Sequence, residues 1–188
     1  RLCSRPRRER IKLLKVLVTG GAGYIGSHTC LKLLRKGYNV HVVDNLDNGS
    51  VEVLRRVKQL TNRNLAFTEC DVRDANSLDK VFTKFQPDAI IHFAGLKAVG
   101  ESTTKPALYY DVNVGGTAVL LDAMERAGCD NIVFSSSATV YDEPQYLPCD
   151  ELHPFNSIYP YGRTKLMGEN LLQDWCYAEP KVRRAFAL

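Results

Sequence analysis

An α/β fold with a doubly wound parallel sheet is predicted by three features of this 188-residue sequence. Short β-branched runs alternate with longer helical patterns, a glycine-rich turn joins the first run to the first helix, and most of the apolar runs lack polar alternation. Strands separated by helices form right-handed crossovers and lie parallel. Strands apolar on both sides need cover on both faces. With 45% hydrophobic residues, the chain can bury the core of one ordinary domain.

The first strand is read at residues 15–19 (KVLVT), and the helix after it runs over 24–36 from the glycine turn. A second strand at 39–43 leads to a helix at 51–60, and a third at 65–68 to a helix at 77–85. The fourth strand, 89–93, is followed by a long helix over 107–127, and the fifth, 131–135, precedes a last helix near 160–177. Strands one, two, four and five are almost wholly apolar, which assigns them to the sheet interior. Residues 142–158, rich in proline and acidic side chains, interrupt the alternation, and long loops inside a domain usually carry function. The expectation from this alternation is one doubly wound α/β domain over residues 15–188.

The formal charge is +4, and Arg1, Arg5, Arg7, Arg8, Arg10, Lys12 and Lys15 supply the excess. Such a run can attract nucleic acid or anionic membrane, but a short basic arm is more often a solvated tail. Residues 1–14 are therefore expected to be a disordered extension, with neither nucleic acid nor membrane as partner. The six cysteines are scattered without C-x-x-C pairs, so neither a zinc site nor a disulfide frame is indicated and a reducing, cytoplasmic setting fits. No apolar stretch approaches the eighteen or so residues of a membrane span.

After the first strand the sequence reads Thr19-Gly20-Gly21-Ala22-Gly23-Tyr24-Ile25-Gly26. Gly20 can take the positive φ of a tight turn, Gly23 lets the backbone approach a pyrophosphate, and Gly26 permits close helix packing. The helix N-terminus adds free N–H groups and the positive end of its dipole. A glycine triplet alone can be a ligand-free turn. Here it lies between strand and helix and is followed by Asp44 at the end of the second strand, where a carboxylate can accept both adenosine-ribose hydroxyls and repel a 2′-phosphate. NAD is favoured over NADP. Asp71-Val72 and Phe93-Ala94-Gly95-Leu96-Lys97 follow the third and fourth strands at the same sheet edge, although Asp71 could equally cap a turn.

Ser135-Ser136-Ser137 ends the fifth strand, and Tyr161 and Lys165 lie four residues apart on the last helix, hence on one face. A free tyrosine has a pKa of about 10, so a tyrosine base near neutral pH needs a shift of about 3 units, or about 4 kcal/mol. One cation at about 4 Å in a dielectric of about 20 supplies roughly that. Lys165 can thus activate Tyr161, and Ser137 can hold a substrate hydroxyl or relay its proton. A lone Y-x-x-x-K is more often a surface pair; its order behind a dinucleotide turn and a serine-ended strand gives it weight.

These motifs resemble the extended short-chain dehydrogenase/reductase family and, within it, the UDP-glucose (UDP-galactose) 4-epimerases. The likeness runs from about Lys15 to Pro180 and includes VTGGAGYIGSH at 18–28, VDNL at 43–46, IHFAGLKAVGES at 91–102, FSSSATVY at 134–141 and PYGRTK at 160–165. It implies that Tyr24 and Ile25 cover the pyrophosphate, that Asp44, Asn45, Leu46, Asp47, Asn48 and Gly49 surround the ribose, and that Asp71 and Val72 flank the adenine. Phe93 through Lys97 would line the cofactor. Tyr161 would take the proton of the sugar 4-hydroxyl while hydride passes from C4 to NAD, and UDP-glucose and UDP-galactose would be the substrates. The sequence departs from the epimerase pattern at Val112, where a second asparagine is usual, and at Asp142, where glycine is usual. Set against that pattern, KVRRAFAL at 181–188 stops without the sixth strand and the sugar-binding domain, so the resemblance implies a Rossmann domain over 15–188 that is truncated before the sugar-binding domain and left with an exposed sheet edge.

Two other readings stand beside this one. A nucleotide-sugar 4,6-dehydratase shares the fold and the Tyr/Lys pair, but it needs an acid–base pair just after the fifth strand, where Ala138-Thr139 stand here. An inactive NAD-binding module is the other, since fold and motif do not guarantee chemistry. The sequence leaves a homodimer open.

Overall fold

The structure is a computed structural model that describes residues 13–188. The basic extension expected at the N-terminus therefore lies almost wholly outside the described residues. Six parallel strands form one sheet: β1 (Lys15–Thr19), β2 (Asn39–Asp44), β3 (Ala66–Glu69), β4 (Ala89–His92), β5 (Asn131–Phe134) and β6 (Arg184–Ala187), in the spatial order β3-β2-β1-β4-β5-β6. Order reverses between β1 and β4, which opens a crevice at the carboxyl ends of these two strands.

Side-chain alternation along the strands sorts the core into two layers. Val16 and Val18 of β1 face one way, with Val40 and Val42 of β2, and meet Cys30 and Leu34 of α1 (Tyr24–Arg35) and Leu54 and Val57 of α2 (Val51–Thr61). Leu17 and Val43 point to the other face, where Leu78 and Phe82 of α3 (Ala75–Phe85), Leu120 and Met124 of α6 (Gly116–Ala127), and Leu172 and Trp175 of α7 (Pro160–Ala178) cover the sheet. The four strands expected in the interior are those buried by both layers, whereas β3 and β6 are the edges.

Helix starts follow their caps. Ser50 accepts from Glu52 N at α2, and Asp74 accepts from Ser77 N at α3, so α3 begins two residues before the apolar pattern does. The helix expected over 107–127 is present but not uniform. It is a single turn α5 (Pro106–Tyr109), a π turn over Tyr110–Gly115, and then α6. A short α4 (Val99–Thr104) precedes it, and a 3₁₀ turn (Ala138–Val140) follows β5; neither has enough periodicity to be read from sequence. Residues 142–158 form the expected irregular loop.

The expectation of no sixth strand is overturned. Residues Arg184–Ala187 pair in parallel with β5, from Asn131↔Arg184 to Phe134↔Ala187, so β6 and not β5 is the sheet edge. The two alanines and flanking arginines have weak strand propensity, but pairing to an existing edge overrides that. Arg183 is the anchor: it stacks over the Trp175 ring at 4.8 Å, donates to Trp175 O at 3.2 Å and pairs with Glu125 at 3.1 Å.

Candidate active site

A cleft of about 410 Å³ opens at the carboxyl ends of β1, β4 and β5. The glycine turn forms one wall. Gly20 has φ +70, and a Cβ there would stand 2.6 Å from Ala94 N, so the turn both needs the left-handed region and presses against the β4 loop. A Cβ on Gly26 would stand 2.2 Å from Gly20 O; the contact that excludes it is with the turn itself, not with the sheet. Gly23 is different: its Cβ would meet nothing closer than Gly20 O at 3.4 Å. It is the N-cap of α1, with no side-chain cap and no acidic residue in the first turn, so the leading N–H groups are left for an anion.

Asp44 closes the far end of this wall. Its two oxygens accept from Ala22 N and Leu46 N, each at 2.9 Å, which fixes the carboxylate while leaving each oxygen a further lone pair. It is 8% exposed, toward the cleft.

The opposite wall is built by β5 and α7. Ser135, Ser136, Ser137, Tyr161 and Lys165 all line the cleft. Lys165 is 6% exposed, its ammonium donates to Ser135 O at 2.8 Å and it lies over the Phe134 ring at 4.9 Å. Burial pulls its pKa down to about 8. Tyr161 is buried with its ring edge-on to Tyr109. Ser137 Oγ accepts from Thr139 N and Thr139 Oγ1 at 3.2 and 2.9 Å, leaving its own proton available.

Beneath the cleft runs a buried relay that the sequence did not announce. Ala94 N donates weakly to Thr19 Oγ1 at 3.4 Å, Thr19 Oγ1 meets His92 Nδ1 at 2.6 Å, His92 Nε2 meets Thr117 Oγ1 at 3.1 Å, and Thr117 donates to Asn113 O at 2.6 Å. Because the Thr117 proton is committed to Asn113 O, His92 donates from Nε2 and accepts at Nδ1. Burial, and then the Lys165 charge, push its imidazole down to about 3, consistent with a neutral ring. The Asn113 side chain continues the network: Leu96 N donates to its oxygen at 2.8 Å, and its nitrogen donates to Leu96 O and Thr164 Oγ1 at 3.0 and 2.9 Å. It ties the β4 loop to α7. A buried histidine inside an apolar strand gives no signal in one sequence, which is why His92 was missed; Asn113, the asparagine that the epimerase pattern keeps beside Val112, is found here tying protein segments together.

Of the residues selected from sequence, Gly20, Gly23, Tyr24, Ile25, Gly26, Asp44, Asn48 and Gly49 line the cleft on one side. Phe93, Ala94, Gly95 and Lys97 line its floor, and Ser137, Tyr161 and Lys165 its far wall. Asn45, Asp71 and Val72 line a smaller adjoining recess of about 40 Å³, together with Val112. Leu46, Asp47 and Leu96 lie beside these cavities without lining them; Leu46 turns at φ +65 to bring its N–H to Asp44, and Leu96 is held by Asn113. Asp71 does serve its turn, accepting from Arg73 N at 2.9 Å, and Arg73 bridges it to Asp111 at 2.6 Å. The Arg73 guanidinium holds the Asp71 carboxyl down at about 2.

A parallel sheet with this strand order, a glycine turn opposite a Ser, Tyr and Lys set, and one cleft between them define a Rossmann-like domain of the short-chain dehydrogenase/reductase type. The chain belongs to the family described as GDP-mannose 4,6 dehydratase, whose family model matches residues 17–182. It is 56% identical over 162 residues to UDP-glucose 4-epimerase 2 of Arabidopsis thaliana, covering 85% of this chain and 46% of that protein. To the UDP-glucose 4-epimerase of Homo sapiens it is 54% identical over 172 residues, covering 88% and 49%. The crystal structure of the Bifidobacterium longum UDP-glucose 4-epimerase in complex with NAD+ and UDP superposes with a TM-score of 0.90 at 46% identity, covering 92% of this chain and 52% of that one. The chain thus spans about half the length of the curated relatives it matches.

Proposed function

We propose that this chain corresponds to the cofactor-binding half of a UDP-glucose 4-epimerase, which interconverts UDP-glucose and UDP-galactose at C4 in galactose metabolism. The observation that carries the reading is the convergence of the Gly20–Gly26 turn with Ser137, Tyr161 and Lys165 on one cleft. The named relatives support the same activity. The residues present fit NAD: the uncapped α1 N-terminus beside an open Gly23 suits a pyrophosphate, and Asp44 retains acceptor capacity suited to ribose hydroxyls. Bound NAD would supply reversible uptake of hydride from the sugar C4 and its return to the other face.

The chain's own groups then have distinct tasks. Gly20, Gly23, Tyr24, Ile25 and Gly26 hold the pyrophosphate; Asp44, with Asn45 through Gly49, holds the ribose; Asp71 and Val72 flank the adenine; Phe93 through Lys97 floor the site. Tyr161 Oη takes the 4-hydroxyl proton and later returns it. Lys165, cationic at neutral pH and pinned at Ser135 O, lowers the cost of the phenolate. Ser137, with its proton free, holds the sugar oxygen. Ala138 and Thr139 after β5 provide no carboxylate pair, and Thr139 is bonded back to Ser137, which favours epimerisation over dehydration. A cytoplasmic setting is part of this reading: Cys30, Cys70, Cys129, Cys149 and Cys176 are all free thiols, and no helix among the described residues is long and apolar enough to cross a membrane.

Titration with NAD and NADP, followed by incubation of the full-length protein with UDP-galactose, tests the proposal. Preferred binding of NAD and appearance of UDP-glucose are expected. Equal or tighter NADP binding would mean that Asp44 does not face the ribose 2′ position, and absence of UDP-glucose would refute the epimerase reading.

A further inference from the structure

The helix that carries Tyr161 and Lys165 grips the end of β5 at three points on one face, residues 165, 168 and 169. Lys165 Nζ donates to Ser135 O at 2.8 Å. Gly168 packs on Phe134 so closely that a Cβ would stand 2.7 Å from the ring. Glu169 Oε1 accepts a hydrogen bond from Ser136 Oγ. The peptide units between these points have little freedom left: Ser135 N donates to His92 O at 3.0 Å, and Ser136 N to Leu188 O at 2.9 Å. Glu169 itself lies outside the main cleft, lining a separate groove beside β6, whereas Ser136 lines the cleft.

We infer that Glu169 is a positioning residue for the cleft: by holding the Ser136 hydroxyl it fixes the Ser135 carbonyl that receives the Lys165 ammonium and sets the neighbouring Ser137 hydroxyl. This rests on the roles assigned to Lys165 and Ser137 above, and it adds a residue one helical turn away that touches neither sugar nor cofactor. The carboxylate works through geometry. A hydrogen bond on the main-chain turn that anchors a buried cation decides whether the carbonyl stays aimed at it, and an aimed carbonyl favours the charged ammonium.

Three variants separate geometry from charge. Ser136→Ala keeps the Glu169 charge and loses the bridge, Glu169→Gln keeps an acceptor oxygen and loses the charge, and Glu169→Ala loses both. The readout is the titration of the Lys165 Cε NMR signal in isotope-labelled protein, assigned by its absence in Lys165→Met. The other ionisable groups about Lys165 are unchanged in every variant: His92, which shares the Phe134 ring with it, and Tyr161 one turn earlier. Ser136→Ala and Glu169→Ala are expected to lower the Lys165 midpoint by about one pH unit, while Glu169→Gln stays near the parent value. Equal shifts in Glu169→Ala and Glu169→Gln with Ser136→Ala unmoved would overturn the inference by making the effect one of charge. Coincident titration of all variants with the parent would overturn it as well. Because this readout needs neither cofactor nor turnover, failure of the parent protein to bind NAD would count against the epimerase reading alone.

Discussion

At the scale of single residues, glycines in one motif answer to different constraints. Gly26 is required by the protein: with 2.2 Å between its would-be Cβ and Gly20 O, Gly26→Ala should lose about 2 kcal/mol or more of stability, read by denaturant unfolding. Gly23→Ala has room within the chain and should leave stability within about 0.5 kcal/mol, yet weaken NAD binding at least tenfold if the pyrophosphate lies against it. Equal stability losses in the two variants would contradict this division. Lys165 shows the opposite balance between folding and function. Its pKa falls from 10.5 to about 8 on folding, so between those values the unfolded chain binds more protons and stability rises with pH. Below about pH 8 the buried charge carries its full cost. Lys165→Met should therefore be more stable than the parent by about 1–3 kcal/mol at pH 7, with the gain shrinking from pH 8 to 10.5, while turnover is lost. On the proposed mechanism Tyr161→Phe should cut turnover by at least about 100-fold with little effect on NAD affinity, because it would delete only the proton acceptor; a variant with parental turnover would refute that role.

Elements were legible in sequence where one physical requirement dominated. The first, second, fourth and fifth strands are buried on both faces, so their apolar runs had no other explanation, and the glycine turn and Tyr161/Lys165 spacing located both cleft walls. What stayed hidden was decided by partners distant in the chain. β6 exists because β5 offers an edge and Arg183 finds Trp175 and Glu125, none of which a window over RAFA contains. The relay through His92 is another such case, joining β1, β4 and the α5–α6 helix by side chains that look ordinary in isolation. It has a measurable consequence. Since folding lowers the His92 pKa from 6.5 to about 3, stability from the neutral ring is fully present above pH 6.5 and is lost as pH falls toward 3, by about 5 kcal/mol at most. A His92→Gln variant should show a flatter acid limb in thermal unfolding; an unchanged limb would mean that the ring is not held neutral.

For the whole molecule, the cleft is assembled from segments more than a hundred residues apart, from Gly20 to Lys165, so a ligand that spans it should stabilise the fold as a unit. At a free concentration of about 100 times its Kd, NAD is expected to add about 2.7 kcal/mol to unfolding stability, and NADP at the same concentration much less. Thermal shift with both dinucleotides checks this, and equal shifts would remove the discriminating role of Asp44. The π turn over Tyr110–Gly115 bears on the same assembly. A π turn is in effect an α-helix with one residue inserted, and one residue corresponds to about 100° of rotation about the axis. The insertion therefore sets a phase difference along one continuous rod: Tyr109 before it meets Ala98 N and O in the β4 loop, while Thr117 after it meets His92 under the sheet. Removing a single residue from the turn would leave the helix content nearly intact but rotate one of these contacts out of reach, so the rod's angular offset, more than its length, keeps the floor of the cleft in line with the sheet.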